Sequence, residues 1–146
     1  MGDQAVNLHL SGDPTRLARV IAVTSGKGGV GKTNIAANLA ICLANLKERV
    51  LLLDAELSLA NVDLLMGIRG RYNISHVISG HKSMEDVIQS GPAGVRVICG
   101  GSGLDKLADI GEDEQHRLLQ HLSRLQQETD TIVVDTGAGI SGSVVN

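Results

Sequence analysis

Eight residues constrain this chain more than any others: Gly26-Lys27-Gly28-Gly29-Val30-Gly31-Lys32-Thr33, set between the run Val20-Ile21-Ala22-Val23-Thr24 and an amphipathic stretch that begins at Thr33. The octapeptide fits G-x-x-x-x-G-K-[ST], a pattern that carries meaning only where a strand precedes it and a helix follows. Both conditions hold here. Glycines permit torsions that aim successive backbone N–H groups at one point, and the helix N-terminus adds the positive end of its dipole. The result is a cradle for nucleotide phosphates, with Lys32 on the β/γ-phosphate oxygens and the Thr33 hydroxyl placed for Mg2+. Phosphate contacts are assigned to Gly26, Lys27, Gly28, Gly29, Val30, Gly31, Lys32, Thr33 and Asn34. The alternative is a glycine-rich turn that merely joins strand to helix.

Around that loop, apolar runs and amphipathic stretches alternate. Val20–Thr24 reads as a strand buried on both faces. The helix after it, Thr33 to Lys47, carries Ile35, Leu39, Leu43 and Leu46 on one stripe, with Cys42 beside them in the core. Val50–Asp54 is a second strand, and a helical turn is expected over Asn61–Met66. Ser83 followed three residues later by Asp86 marks a short helix to Gln89. Val95–Cys99 predicts a third strand, Glu112–Glu128 a helix with Leu118, Leu119, Leu122 and Leu125 on one face, and Thr131–Asp135 a fourth strand. Such alternation predicts an α/β fold, three layers α/β/α around a mainly parallel sheet. Residues 1–16, ending in Ser11-Gly12-Asp13-Pro14 and Thr15-Arg16, read as an arm, and 17–146 as the N-terminal portion of a P-loop domain.

Composition narrows the function classes. Phe and Trp are absent and Tyr72 stands alone, so the core is aliphatic and no aromatic platform exists for stacking nucleic-acid bases. With 13 Lys and Arg against 16 Asp and Glu, net charge −3, no diffuse basic surface argues for direct nucleic-acid binding or an anionic membrane, and any anion site has to be local. Cys42 and Cys99 lack C-x-x-C spacing and read as reduced, packed thiols of a cytoplasmic protein, with a disulfide as the alternative. No segment reaches the roughly 18 apolar residues of a membrane helix, and Met1–Pro14 has no apolar signal core. His116 and His121 lie five apart, off one helix face, and with His9, His76 and His81 they complete no metal site.

Two of the strands end in aspartate, Asp54 and Asp135. In an open α/β sheet the ligand sits at the carboxyl ends of the strands, so both point toward the phosphates. They are the expected supports for Mg2+, directly or through water. Either one alone also suits a strand-end turn. In Thr136-Gly137-Ala138-Gly139, the glycines are placed to bring a backbone N–H to the γ-phosphate, with Gly139 assigned that role.

These residues carry a family resemblance. With Lys27 in second position, the loop resembles the deviant Walker A of the MinD/ParA ATPases, and Asp135-Thr136-Gly137-Ala138-Gly139 resembles their second switch. The resemblance implies ATP with Mg2+, an ATP-bridged homodimer, and Lys27 reaching across it to the partner's phosphates. The family's first switch reads Asp-x-Asp, whereas Asp54-Ala55-Glu56 places Glu56 where the water-positioning aspartate stands. Misplacement by about 1 Å can cost on the order of a hundredfold in rate, so hydrolysis is expected to be slow or retuned while ATP binding survives. The alternative is that Glu56 faces solvent.

Within the family, Leu57–Gly67, Asn73–Gly80 and Asp135–Ser141 are similar to the flagellar-number ATPases known as FlhG or FleN. Asp3-Gln4-Ala5-Val6-Asn7-Leu8 resembles the start of their Asp-Gln-Ala-x-x-Leu-Arg segment, with His9 replacing the arginine. That segment stimulates the GTPase FlhF, which implies that Asp3, Gln4, Ala5 and Leu8 contact such a partner and that Gln4 enters its active site. A disordered tail is the alternative. The implied function is a cytoplasmic ATP-dependent switch for flagellar number and placement, with an FlhF-type GTPase, flagellar C-ring proteins and a flagellar transcription regulator as partners. A MinD- or ParA-type cell-division or partitioning ATPase and a non-hydrolysing nucleotide-binding module are the other readings. The family elements that hold adenine, and its C-terminal membrane helix, follow the second switch and are not encoded here, so the domain is expected to be C-terminally truncated. Four strands are expected to leave an open edge or an uncovered apolar face.

Overall fold

The computed structural model describes residues 16–55, 62–99 and 110–136. The elements run β1 (Arg19–Val23), α1 (Lys32–Asn45), β2 (Val50–Ala55), α2 (Val62–Met66), α3 (Ile74–Ile78), α4 (Met84–Val87), β3 (Ile88–Ser90), β4 (Arg96–Ile98), α5 (Glu112–Gln127) and β5 (Thr131–Thr136). They form one sheet of order β1-β5-β2-β4-β3, in which β1, β5, β2 and β4 are parallel and β3 runs antiparallel to β4. Alternation along β2 builds the layers. Val50 and Leu52 join Val97 and Val133 beneath α1 and α2, while Leu51 joins Ile98 beneath α3, α4 and α5. A central parallel strand is apolar on both faces and needs cover on both, which yields the expected three-layer α/β/α architecture.

Several elements depart from the sequence expectation for local reasons. The short helix after Ser83 does start there, since the Ser83 hydroxyl accepts from the Asp86 N–H at 3.2 Å and Asp86 accepts from the Ser83 N–H at 3.1 Å. It ends at Val87 rather than Gln89. Ile88 turns extended (φ −71°, ψ 125°), and a turn with positive φ at Ala93 and Gly94 folds β3 back on β4 as a fifth strand. α3 was not anticipated as a helix; the Asn73 side chain caps it by accepting from the Ser75 N–H at 3.0 Å.

The packing face of α1 also differs. Ala36, Ala37 and Ala40 are buried against the sheet, whereas Ile35 and Leu46 of the expected stripe are 59% and 71% exposed. Leu39 and Leu43 of that stripe are half-buried and pack against the same core cluster, beside the three alanines whose methyl groups let the helix lie close to the strands. Cys42 is exposed, contrary to its expected core position. On α5, Leu118 and Leu125 are buried while Leu119, about 100° round the helix from Leu118, is 55% exposed and Leu122, at the margin of the buried face, 39% exposed. β1 is an outer strand among the described residues, with Val20 58% exposed, and not a strand buried on both faces.

Candidate functional site

β1 stops at Val23, and the chain passes through residues 24–31 into α1, whose N-cap is Gly31. Gly29 and Gly31 have φ of +73° and +88°, a region costly for residues with a Cβ. A Cβ on either would meet nothing within 4 Å, so backbone torsion and not crowding demands glycine at these two positions. The Ser25 hydroxyl donates to the Lys27 carbonyl at 2.8 Å, shaping the entry to the loop. Gly31 offers no side-chain cap, and no acidic residue occupies the first turn of α1. An anion at this helix start would meet the positive end of the helix dipole.

The Lys32 ammonium lies 2.5 Å from Asp135 Oδ1, with side chains 7% and 1% exposed. Asp135 is the register partner of Asp54 across the parallel β2/β5 pair, so two buried carboxylates stand side by side at the carboxyl ends of neighbouring strands. Asp135 Oδ2 is buried and accepts no hydrogen bond among the described residues. Thr33, half-buried, follows Lys32 on the first turn of α1, and Lys27 and Asn34 are exposed. Four expected residues thus converge in sequence and fold: Lys32 on Asp135, Asp135 beside Asp54, and Thr33 next to Lys32. Glu56, Gly137 and Gly139, and Asp3, Gln4, Ala5 and Leu8, lie outside the described residues.

Sequence reasoning gave Thr136 no role. Its buried hydroxyl donates to the Val23 carbonyl at 2.9 Å, joining the end of β5 to the end of β1. A hydroxyl-bearing β-branched residue directly after a strand-end aspartate was the available signal.

The donor set suits a hard cation held with phosphate. Burial pushes the Cys99 thiol up to about 11, with the charges of Asp63 and Asp54 adding to the effect. Among the described residues no group of three or more His, Cys, Asp or Glu gathers into a metal site of its own. Two carboxylates and a hydroxyl match Mg2+, which takes one or two carboxylates, water and substrate phosphates, and not an all-protein cage. A concavity of about 210 Å³ lined by Met84, Ile88, Arg96 and Arg124 lies by the opposite, N-terminal end of β4 and does not belong to this site.

Known proteins resemble this chain in sequence and in fold. The AAA domain family model matches residues 18–143. The antiactivator FleN of Pseudomonas aeruginosa is 47% identical over 128 residues, covering 88% of this chain and 46% of FleN. The flagellum site-determining protein YlxH of Helicobacter pylori is 39% identical over 125 residues, covering 86% of this chain and 42% of YlxH. Among solved structures, the septum site-determining protein MinD of Pyrococcus horikoshii, complexed with Mg-ADP, superposes with a TM-score of 0.66 at 28% identity, over 86% of this chain and 51% of that one. The chain spans about half the length of the curated relatives it matches. Among the described residues no helix is long and apolar enough to cross a membrane. With its phosphate loop, its parallel sheet order and these matches, the chain belongs to the MinD/ParA family of P-loop ATPases, where its relatives include FleN and YlxH.

Proposed function

We propose that the chain binds ATP with Mg2+ at the Gly26–Thr33 loop and uses nucleotide state as a switch for pairing with a second copy in the control of flagellar number and placement. The observation that carries the reading is the contact between Lys32 of the loop and Asp135 at the root of the second switch, which ties the phosphate cradle to the segment meant to respond to it. The similarity to FleN and YlxH supports the flagellar setting, and the bound Mg-ADP of the Pyrococcus MinD supports the nucleotide.

Each residue has a role in this reading. The loop N–H groups and Lys32 bind phosphate oxygens, and the Thr33 hydroxyl with Asp54 and Asp135 holds Mg2+, directly or through water. Bound Mg2+ would neutralise phosphate charge as the terminal phosphoryl group leaves. Exposed Lys27 is suited to meet the phosphates of a second copy. Glu56 orients the attacking water, and Gly139 supplies an N–H to the γ-phosphate. Positioning and electrostatics account for most of such chemistry, so substitutions change rate more than reaction type. The arm residues Asp3, Gln4, Ala5 and Leu8 contact an FlhF-type GTPase, and C-ring proteins and a flagellar transcription regulator are further partners.

Hydrolysis and light-scattering mass with ATP and Mg2+, on the chain and on Lys27→Ala and Glu56→Asp, test the reading. Expected are ATP-dependent dimers lost in Lys27→Ala, and slow turnover that rises in Glu56→Asp. Binding without turnover in both the chain and Glu56→Asp would favour a nucleotide-binding module, and deletion of residues 1–16 without effect on FlhF GTPase rate would remove the flagellar partner.

A further inference from the structure

Consecutive residues of β5 grip both ends of the phosphate loop. Asp135 holds Lys32 at the exit of the loop, 2.5 Å from its ammonium, and Thr136 holds Val23 at its root through a 2.9 Å hydroxyl-to-carbonyl bond. The β1/β5 ladder ends at the pair Val23–Asp135, while the β2/β5 ladder continues one step further to Ala55–Thr136. β5 therefore outruns β1 by one residue. At that step the Thr136 hydroxyl, on a residue 6% exposed, adds a side-chain bond to the Val23 carbonyl at the end of the backbone ladder. Only Thr24 and Ser25 separate Val23 from Gly26.

We propose that Thr136 is a positioning residue for the nucleotide site: its hydroxyl fixes the root of the phosphate loop to the strand that carries Asp135, and so sets the separation between bound phosphate and the carboxylate. The proposal rests on the nucleotide reading above. Fold stability alone does not call for a hydroxyl here, since β5 is already held by backbone ladders to β1 and β2. What the hydroxyl adds is a constraint between Asp135 and the loop, where displacements of about 1 Å change the chemistry by large factors. Metal-assisted binding needs both groups in register, whereas nucleotide contact with the loop alone does not. Loss of the hydroxyl should consequently weaken Mg2+-dependent binding selectively.

The test is titration with a fluorescent ADP, in Mg2+ and in EDTA, of the chain and of Thr136→Val, Thr136→Ala and Thr136→Ser, each checked for folding by circular dichroism. Thr136→Val and Thr136→Ala should lose about tenfold in affinity with Mg2+ and stay within about threefold in EDTA, and Thr136→Ser should bind like the parent. A purely structural role would weaken both titrations together or leave Thr136→Ser as impaired as Thr136→Val, and either result overturns the proposal. So does failure of both hydroxyl-free variants to fold. Absence of Mg2+-dependent binding by the parent chain would instead overturn the nucleotide reading on which it rests. Unchanged Mg2+-dependent affinity in Thr136→Val, with the parent binding normally, overturns the positioning role alone.

Discussion

Asp54 and Asp135 are register partners at the carboxyl ends of β2 and β5, with residue exposures of 1% and 0%, and Lys32 reaches across from the phosphate loop to Asp135. Removing one partner of a buried ion pair typically costs about 3–5 kcal/mol, because the other charge is left buried and uncompensated. A phosphate that draws Lys32 away meets this cost unless a cation takes its place. Nucleotide and divalent cation are thus coupled through the lysine.

Asp135→Asn removes the charge that Lys32 would leave behind. Calorimetric titration with ADP in EDTA should therefore show binding about tenfold tighter than in the parent, and the gain on adding Mg2+ should shrink. Weaker metal-free binding in the variant would contradict the coupling.

Gly70 is required by close approach. A Cβ there would lie 2.8 Å from both Cβ and Sγ of Cys99, at the end of β4. Gly70→Ala should lower stability by about 1–3 kcal/mol, the usual cost of overpacking, read as a lower urea midpoint. Pairing it with Cys99→Ala, which removes the clashing sulfur, should recover part of the loss.

Lys47 sits at the C′ position of α1 with φ +70°, its N–H bonded to the Ala44 carbonyl and the Glu48 N–H to the Leu43 carbonyl. This is the left-handed helix ending that glycine favours. Lys47→Gly should stabilise the chain by about 0.5–1 kcal/mol, the relief of left-handed strain outweighing the entropy glycine adds to the unfolded chain. An unchanged or lower midpoint would place the strain elsewhere.

The two thiols should separate by pH and reagent. Burial first, then the charges of Asp63 and Asp54, raise Cys99 from 9.0 to about 11, while Cys42 is exposed. Iodoacetamide at pH 8 should label Cys42 and spare Cys99, as mass spectrometry would show. Because the folded value lies above the unfolded one, the unfolded chain loses this proton first. The contribution of Cys99 to stability is complete below pH 9 and declines toward pH 11, by at most about 1.4 kcal/mol per unit. Urea midpoints of the parent should fall across that window more than those of Cys99→Ala.

The parts of this fold that were legible from the residues are those written in local chemistry. Gly26–Thr33, the strand-end Asp54 and Asp135, and the Ser83/Asp86 cap each need only their own neighbours to be read, and each stands where expected. Hydrophobic spacing was a weaker guide. On α1 it found Leu39 and Leu43, which pack against the core, but it also took in the exposed Ile35 and Leu46 and passed over the buried Ala36, Ala37 and Ala40, because the distance to the sheet is a tertiary quantity. β3 was hidden for a similar reason: its three residues acquire strand geometry only through the turn at Ala93 and Gly94 that lays them on β4. Thr136 and Val23 are 113 residues apart, so a hydroxyl after the strand-end Asp135 marks a donor but does not name its partner.

The central claim is tested most directly by calorimetric titration of the chain with ADP in the presence of Mg2+, alongside Lys32→Met, with circular dichroism to confirm folding. The account predicts one site per chain, weakened at least about tenfold by the substitution, which removes the lysine charge and its phosphate contact. Absence of binding by the parent chain, or equal affinity in a folded Lys32→Met, would contradict it.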